Sequence, residues 1–166
     1  MQATAASKQA SPSTSEELAR ELYTLFQYLF SSSASDFFRA LSEADVTLTQ
    51  VKLMHVLDRP DPDRTLKDLA EEMSFSLAGA SRSIDALHQR GLVERREDEH
   101  DRRMKRVRIT DEGRELLRRL NEMRVALLEQ FVETIPETER RQLLDVLSPI
   151  VEREEVAAFR PQGLTK

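Results

Sequence analysis

After Gly91 the spacing of apolar residues changes from about 3.6 to 2. Val107 and Ile109 point one way while Arg106 and Arg108 point the other, so Leu92 to Thr110 reads as two strand-like runs joined by a charged turn. Helical spacing precedes this ribbon and resumes at Thr110, which narrows the fold to a mainly α chain carrying a small antiparallel β wing. The charge is equally local. The whole chain carries a formal net charge of -5, yet Ser76 to Thr110 holds nine basic residues against six acidic ones. Arg102 to Arg108 contains basic side chains and no acid, a patch that attracts phosphate whatever the total charge. A charge run standing alone is more often a solvated face, so the context of the ribbon must decide.

With 166 residues, the chain fits one domain, or one small domain with appended helices that pair with another chain. Charged residues at 33%, few glycines and few aromatics suit a helix-rich protein. No apolar run approaches the roughly 20 residues that span a bilayer, and no apolar core follows basic residues at the N-terminus, so a cytoplasmic location is expected. The absence of cysteine excludes disulfides, thiolate metal sites and a cysteine-based peroxide switch, leaving methionine for any oxidant sensing.

Residues 1–13 are too polar to order themselves and are expected to form an arm. Thr14 to Glu17 fits a capping box opening a first helix, with Leu18, Leu22, Leu25, Phe26 and Leu29 at helical spacing. The serines at 31, 32, 33 and 35 weaken it locally, and Phe37, Phe38 and Leu41 continue the pattern. Thr49 is read as the cap of a second helix with Leu53, Met54, Val56 and Leu57 on its apolar face, stopped by Asp58 to Arg64. Thr65 with Asp68 opens a short third helix, and Ser76 caps a fourth. That fourth helix carries Leu77, Ala80, Ile84 and Leu87 on one face and Ala78, Ser81, Arg82, Asp85 and Gln89 on the other, and Gly91 ends it. Thr110 caps a long helix with a leucine-rich seam from Leu116 to Phe131. Pro136 starts a last one with Leu143, Leu144, Leu147, Ile150 and Val151, in which Pro149 should cost a backbone hydrogen bond; a tail follows from Arg160.

A helix that reads DNA needs an apolar face to dock on its own domain and a small or hydrogen-bonding face toward the bases, and the fourth helix has both. Counted with the Ser76 cap, Ala78 and Gly79 leave room for close approach, Ser81 can donate or accept, and Arg82 can reach a phosphate or grip guanine through two hydrogen bonds. Asp85 is discordant, because it would repel phosphate unless it pairs with Arg82 or accepts from a cytosine amino group. In the hairpin, Arg103 is the first choice for insertion into the minor groove and Arg102 the second, with Asp101 holding the guanidinium. Lys105, Arg106 and Arg108 are assigned to phosphates, with plain solvation as the alternative.

At this point the motifs LTQVKLMHVLDR, TLKDLAEEMSFS, SRSIDALHQRGLVERRED, DRR and VRITDEG resemble those of the MarR family of winged helix-turn-helix regulators over roughly Leu48 to Leu120. The resemblance implies a homodimer whose first and last helices form a dimerisation region (14–47 and 111–159) beside a winged helix-turn-helix at 48–110. It also implies a repressor of transcription released by a small aromatic or phenolic ligand or an oxidant, and maps the family's wing arginine onto Arg103. Ala78-Gly79-Ala80 departs from the Thr and β-branched residue often found there. The implied effector site between dimer helices and winged lobe directs attention to Phe37, Phe38, Met54 and His55, with Tyr23 and Tyr28 able to supply a hydroxyl; core packing and the dimer interface are the plainer roles for these residues.

Apart from any family, leucine-rich helices at both ends have more apolar surface than one small winged domain covers, which argues for a second copy and hence a pseudo-palindromic operator in double-stranded DNA. The three histidines, His55, His88 and His100, lack metal-ligand spacing, and no nucleophile, phosphate loop or acid/base pair stands out, so neither a cofactor nor catalysis is expected. The competing reading is a winged-helix module that binds an acidic protein partner.

Overall fold

The computed structural model describes residues 13–59, 64–97 and 105–160, with the side chains of 32–34 left aside. The expected arm (1–12), the wing turn with Asp98, His100, Asp101, Arg102 and Arg103, and residues 161–166 of the tail lie outside the described residues. The chain divides into two compact units, residues 1–35 and 36–166.

Within the first unit lies the N-terminal part of α1 (Thr14–Glu43), which is one continuous helix across the serine cluster. Its capping box sits one residue earlier than the sequence reading placed it. The Ser13 hydroxyl accepts from Glu16 N–H at 3.3 Å and the Glu16 carboxylate accepts from Ser13 N–H at 3.1 Å. Two overlapping Ser/Thr-x-x-Glu patterns compete here, and the earlier adds a residue to the helix. Leu18, Leu22, Tyr23, Leu25, Phe26 and Tyr28 are exposed, and Phe26 stacks on Phe30 with ring centroids 5.9 Å apart.

The second unit is a winged helix-turn-helix: α2 (Leu48–Leu57), β1 (Arg64–Thr65), α3 (Leu66–Glu72), α4 (Leu77–Gln89), β2 (Val93–Glu97), β3 (Lys105–Ile109), then α5 (Asp111–Glu133), α6 (Glu137–Val151) and α7 (Glu154–Ala157). Thr47, not Thr49, caps α2. Its hydroxyl accepts from Gln50 N–H, and the Gln50 side chain accepts from Thr47 N–H at 2.8 Å. A box opened at Thr49 would place Lys52 at the return position, and an ammonium has no lone pair to offer. Thr65 with Asp68, Ser76 and Thr110 cap α3, α4 and α5 as the sequence indicated.

The wing has three strands rather than the expected two, in the order β1-β3-β2, all antiparallel. Arg64 and Thr65 pair with Val107 and Arg106. A two-residue strand has no period to read, so the segment passed for the end of a turn. Val93, Val107 and Ile109 face the core with Leu53, Met54 and Leu57 of α2, Leu69 of α3, Ile84 and Leu87 of α4, and Leu116, Leu117 and Leu120 of α5. Each such buried side chain contributes on the order of 1.5–3 kcal/mol.

Two seams behave differently from their sequence pattern. Leu77, assigned to the buried face of α4, is 56% exposed because it occupies the first turn, where the helix overhangs the core. The α5 seam is buried to Leu120 and half-buried or exposed from Met123 onward, and α6 has no buried residue. Helix α6 continues through Pro149 and ends two residues later, at Val151, so the proline does not divide it.

One corner ties α4 to the wing and to α5. Helix α4 ends in a Schellman turn: Leu92 N–H donates to Leu87 O at 3.0 Å and Gly91 N–H to His88 O at 2.9 Å, with Gly91 at φ 73°. Thr110 closes on it, its hydroxyl donating to Gly91 O at 2.6 Å and its N–H to Leu92 O at 3.1 Å. The first turn of α5 then lies so close that a Cβ on Gly113 would stand 2.3 Å from Leu92 O and 2.7 Å from Ile109 Cγ1. Gly113→Ala is therefore expected to lower the unfolding free energy by roughly 1–3 kcal/mol, because a backbone carbonyl rather than a flexible side chain must move. Urea unfolding checks this, and a stability equal to wild type would show that the corner yields.

Candidate nucleic-acid interface

Helix α4 supplies the surface. Ala80, Ile84 and Leu87 bury its inner face, while Ala78, Arg82 and Gln89 are exposed and Ser81 and Asp85 half-buried. Ser76 accepts from Gly79 N–H at 3.1 Å through its side-chain oxygen, which leaves the hydroxyl proton free to donate outward. The far end is anchored twice. His88 Nδ1 donates to Val93 O at 3.0 Å, a contact that fixes the proton on that nitrogen, and Arg90 donates to Ala86 O at 2.7 Å and pairs with Asp45.

Most of the arginines around this helix are already committed. Asp85 pairs with Arg95 of β2 at 2.6 Å, not with Arg82, and accepts from the Ser81 hydroxyl at 3.4 Å. A partner across the sheet reaches Asp85 from the side, whereas Arg82, three residues earlier, extends into solvent. Glu94 holds Arg96 at 2.9 Å; Arg108 Nε is 3.1 Å from the same carboxylate oxygen, within ion-pair reach but not aligned for a hydrogen bond. Arg82 forms no ion pair among the described residues, and Lys105, at the open end of β3, is exposed and likewise without one. Arg106 is half-buried on the strand face opposite Val107.

Two grooves flank α4. On one side Thr47, Thr49, Ser74, Ser76, Ser83 and Arg82 surround an open depression between the starts of α2 and α4. The sequence reading missed Thr47, Thr49 and Ser83, whose only signal was hydroxyls clustered around two helix caps. On the other side Leu66, Leu77, Ser81, Arg95, Lys105 and Val107 line a more apolar cleft between α4 and the wing. The exposed Leu77 belongs to this cleft.

The residues singled out for a ligand separate. Phe37 and Met54 are core, and Phe38 is exposed with its ring tilted 58° to that of Phe37. Tyr23, in the N-terminal unit, is exposed and its hydroxyl oxygen accepts from the Gln27 amide at 2.6 Å. Of these, His55 lines a cavity, in company the sequence did not suggest: Lys52 of α2, Asp58 (paired with Arg114) and Arg59 just beyond it, Asn121 and Arg124 of α5, and Phe159 beyond α7. The Arg124 guanidinium stacks 4.0 Å from the Phe37 ring centroid and has no carboxylate partner among the described residues; burial lowers its pKa. Asn121 is buried with no side-chain hydrogen bond among the described residues.

Burial, and next the Arg124 charge, hold the His55 pKa below its ordinary 6.5. The folded state therefore favours neutral His55, and below the unfolded value the unfolded chain binds a proton that the folded chain resists. This contribution to stability is complete above about pH 6.5 and declines as the pH falls through the lowered folded value. His55→Gln should flatten that part of the pH dependence in chemical unfolding between pH 5 and 7; an unchanged slope would assign it to other groups.

No helix of the described residues is long and apolar enough to cross a membrane. The sequence pattern of the MarR family matches residues 44–104. The uncharacterized HTH-type transcriptional regulator YfiV of Bacillus subtilis is 28% identical over 137 residues, covering 81% of this chain and 82% of that protein. The transcriptional repressor MprA of Escherichia coli is 31% identical over 86 residues, 52% of this chain and about half (49%) of that one. Among solved structures, the DNA complex of Staphylococcus aureus MepR superposes with a TM-score of 0.62 at 20% identity, covering 80% of this chain and 96% of that one, a likeness of fold. Over residues 44–104, which include α4, the chain is thus similar to the MarR family, and it shares a fold with the DNA-bound structure above.

Proposed function

We propose that the protein is a sequence-specific DNA-binding repressor of transcription that acts as a homodimer and is released by a small anionic ligand. The observation that carries the DNA reading is Arg82: a guanidinium without an ion pair among the described residues, on the exposed face of a helix locked at both ends, while Arg95 and Arg96 of the sheet are held by carboxylates. An uncommitted arginine on a rigid helix can enter the major groove without breaking an ion pair first. Ser76, Ala78, Gly79 and Ser81 would border it, Lys105 and Arg106 would meet phosphates, and the Asp101, Arg102 and Arg103 turn would reach the minor groove. The related repressor and the DNA-bound fold relative support this reading.

Dimerisation rests on the apolar faces left in water: Leu143, Leu144, Val146, Leu147, Ile150 and Val151 on α6, Leu128 and Val132 on α5, and Leu18, Leu22 and Phe26 on the first part of α1. So much apolar surface marks an interface. A second copy related by two-fold symmetry would cover it and set two reading helices about one DNA turn apart, on a pseudo-palindromic operator. For the ligand, Arg124 offers charge and Asn121 offers hydrogen bonds beside His55, a set that suits the carboxylate of an aromatic or phenolic acid.

Titration of the protein against duplex DNA at rising salt tests the central claim, with light scattering reporting the mass. A dimer is expected, with log affinity falling linearly against log salt by several units, about 0.9 per phosphate neutralised. Arg103→Ala and Arg82→Ala should each weaken binding with the dimer intact. Absence of duplex binding at low salt would favour the protein-interaction alternative, and a monomer would remove the palindrome. Calorimetric titration with hydroxybenzoates should give binding that Arg124→Met abolishes; equal binding by that variant would move the ligand elsewhere.

A further inference from the structure

Asp85 stands on the same outward face of α4 as Ser81 and Arg82, where a bare carboxylate would confront the phosphates of any duplex the helix enters. It is not bare. Arg95 Nη2 lies 2.6 Å from Asp85 Oδ1, and the Ser81 hydroxyl donates to Oδ2 at 3.4 Å. The route by which Arg95 arrives is set by the strand period: Val93 is buried, and Arg95, two residues on and paired across the sheet with Val107, carries the same face of β2 past the end of the apolar core toward α4. Its side chain is 24% exposed against 48% for Asp85, so the guanidinium sits behind the carboxylate rather than in front of it. That arrangement differs from Arg82, which is exposed and has no ion pair among the described residues.

Resting on the reading of α4 as the DNA-facing helix, we infer that Arg95 is a positioning residue for DNA recognition. It cancels the charge that Asp85 would otherwise turn toward the duplex, without itself touching DNA.

Duplexes enriched by the wild-type protein from a random pool serve as the probe, titrated by fluorescence anisotropy against wild type, Arg95→Gln, Asp85→Asn and the double variant, alongside circular-dichroism melts. Arg95→Gln should weaken binding by about tenfold or more, as an uncompensated carboxylate within a few ångströms of phosphate requires. Asp85→Asn should bind at least as tightly as wild type, and adding it to Arg95→Gln should restore affinity to within about threefold. Rescue is the decisive readout, since the double variant removes the repelling charge without remaking the ion pair. Unchanged affinity of Arg95→Gln overturns the inference. So does a double variant as weak as Arg95→Gln with a salt slope shallower by about one, which would make Arg95 a phosphate contact. Weak binding that tracks a lowered melting point and is not rescued would reduce the pair to a structural one and overturn it too. If wild type enriches no duplex, the DNA reading fails first and takes this inference with it.

Discussion

The corner where Leu92 and Gly113 meet governs the geometry of the rest. Three elements leave it: α4 through the Schellman turn at Gly91, the wing through β2 and β3, and α5 through the Thr110 cap. Thr110 uses its hydroxyl twice, donating to Gly91 O and accepting from Gly113 N–H, so the end of one helix and the start of another share a single side chain. The missing Cβ at Gly113 permits the backbone contact that this sharing demands. With the corner fixed, the angle between α4 and the wing is fixed as well.

Charge is distributed over that frame in two classes. On the sheet, Glu94 collects Arg96 and Arg108, and Asp85 collects Arg95. These exposed or half-exposed pairs contribute little to stability, typically about 0–1 kcal/mol each. Beside α4 they leave Arg82 and Lys105 without an ion pair among the described residues. Further from this surface a third arrangement appears around Arg124, whose guanidinium stacks on an aromatic face and forms no ion pair among the described residues.

Local chemistry was legible where it is written in short range. The caps at Thr65, Ser76 and Thr110, the end of α4 at Gly91 and the inward direction of Val107 and Ile109 all follow from spacings of two to four residues. The caps at Ser13 and Thr47 were displaced because neighbouring hydroxyls offered equivalent patterns, and the choice turns on which side chain can return the bond. Strand β1 was not legible, since its two residues become a strand only by pairing with β3. Leu77 followed the helical period yet stayed exposed, because period reports a face and not how far the core extends beneath it.

The amino-acid sequence by itself determined the order of elements, the two-faced character of α4 and the concentration of basic residues in and around the wing, for these depend on neighbours a few positions apart. Which charges cancel was decided only in three dimensions. Asp85 and Arg95 are ten positions apart and meet because a strand folds back beside a helix, and His55, Asn121 and Arg124 share a cavity because α2 packs against α5. Pairing of this kind depends on distance through space, which falls off as the reciprocal of separation and carries no trace in the spacing of residues along the chain.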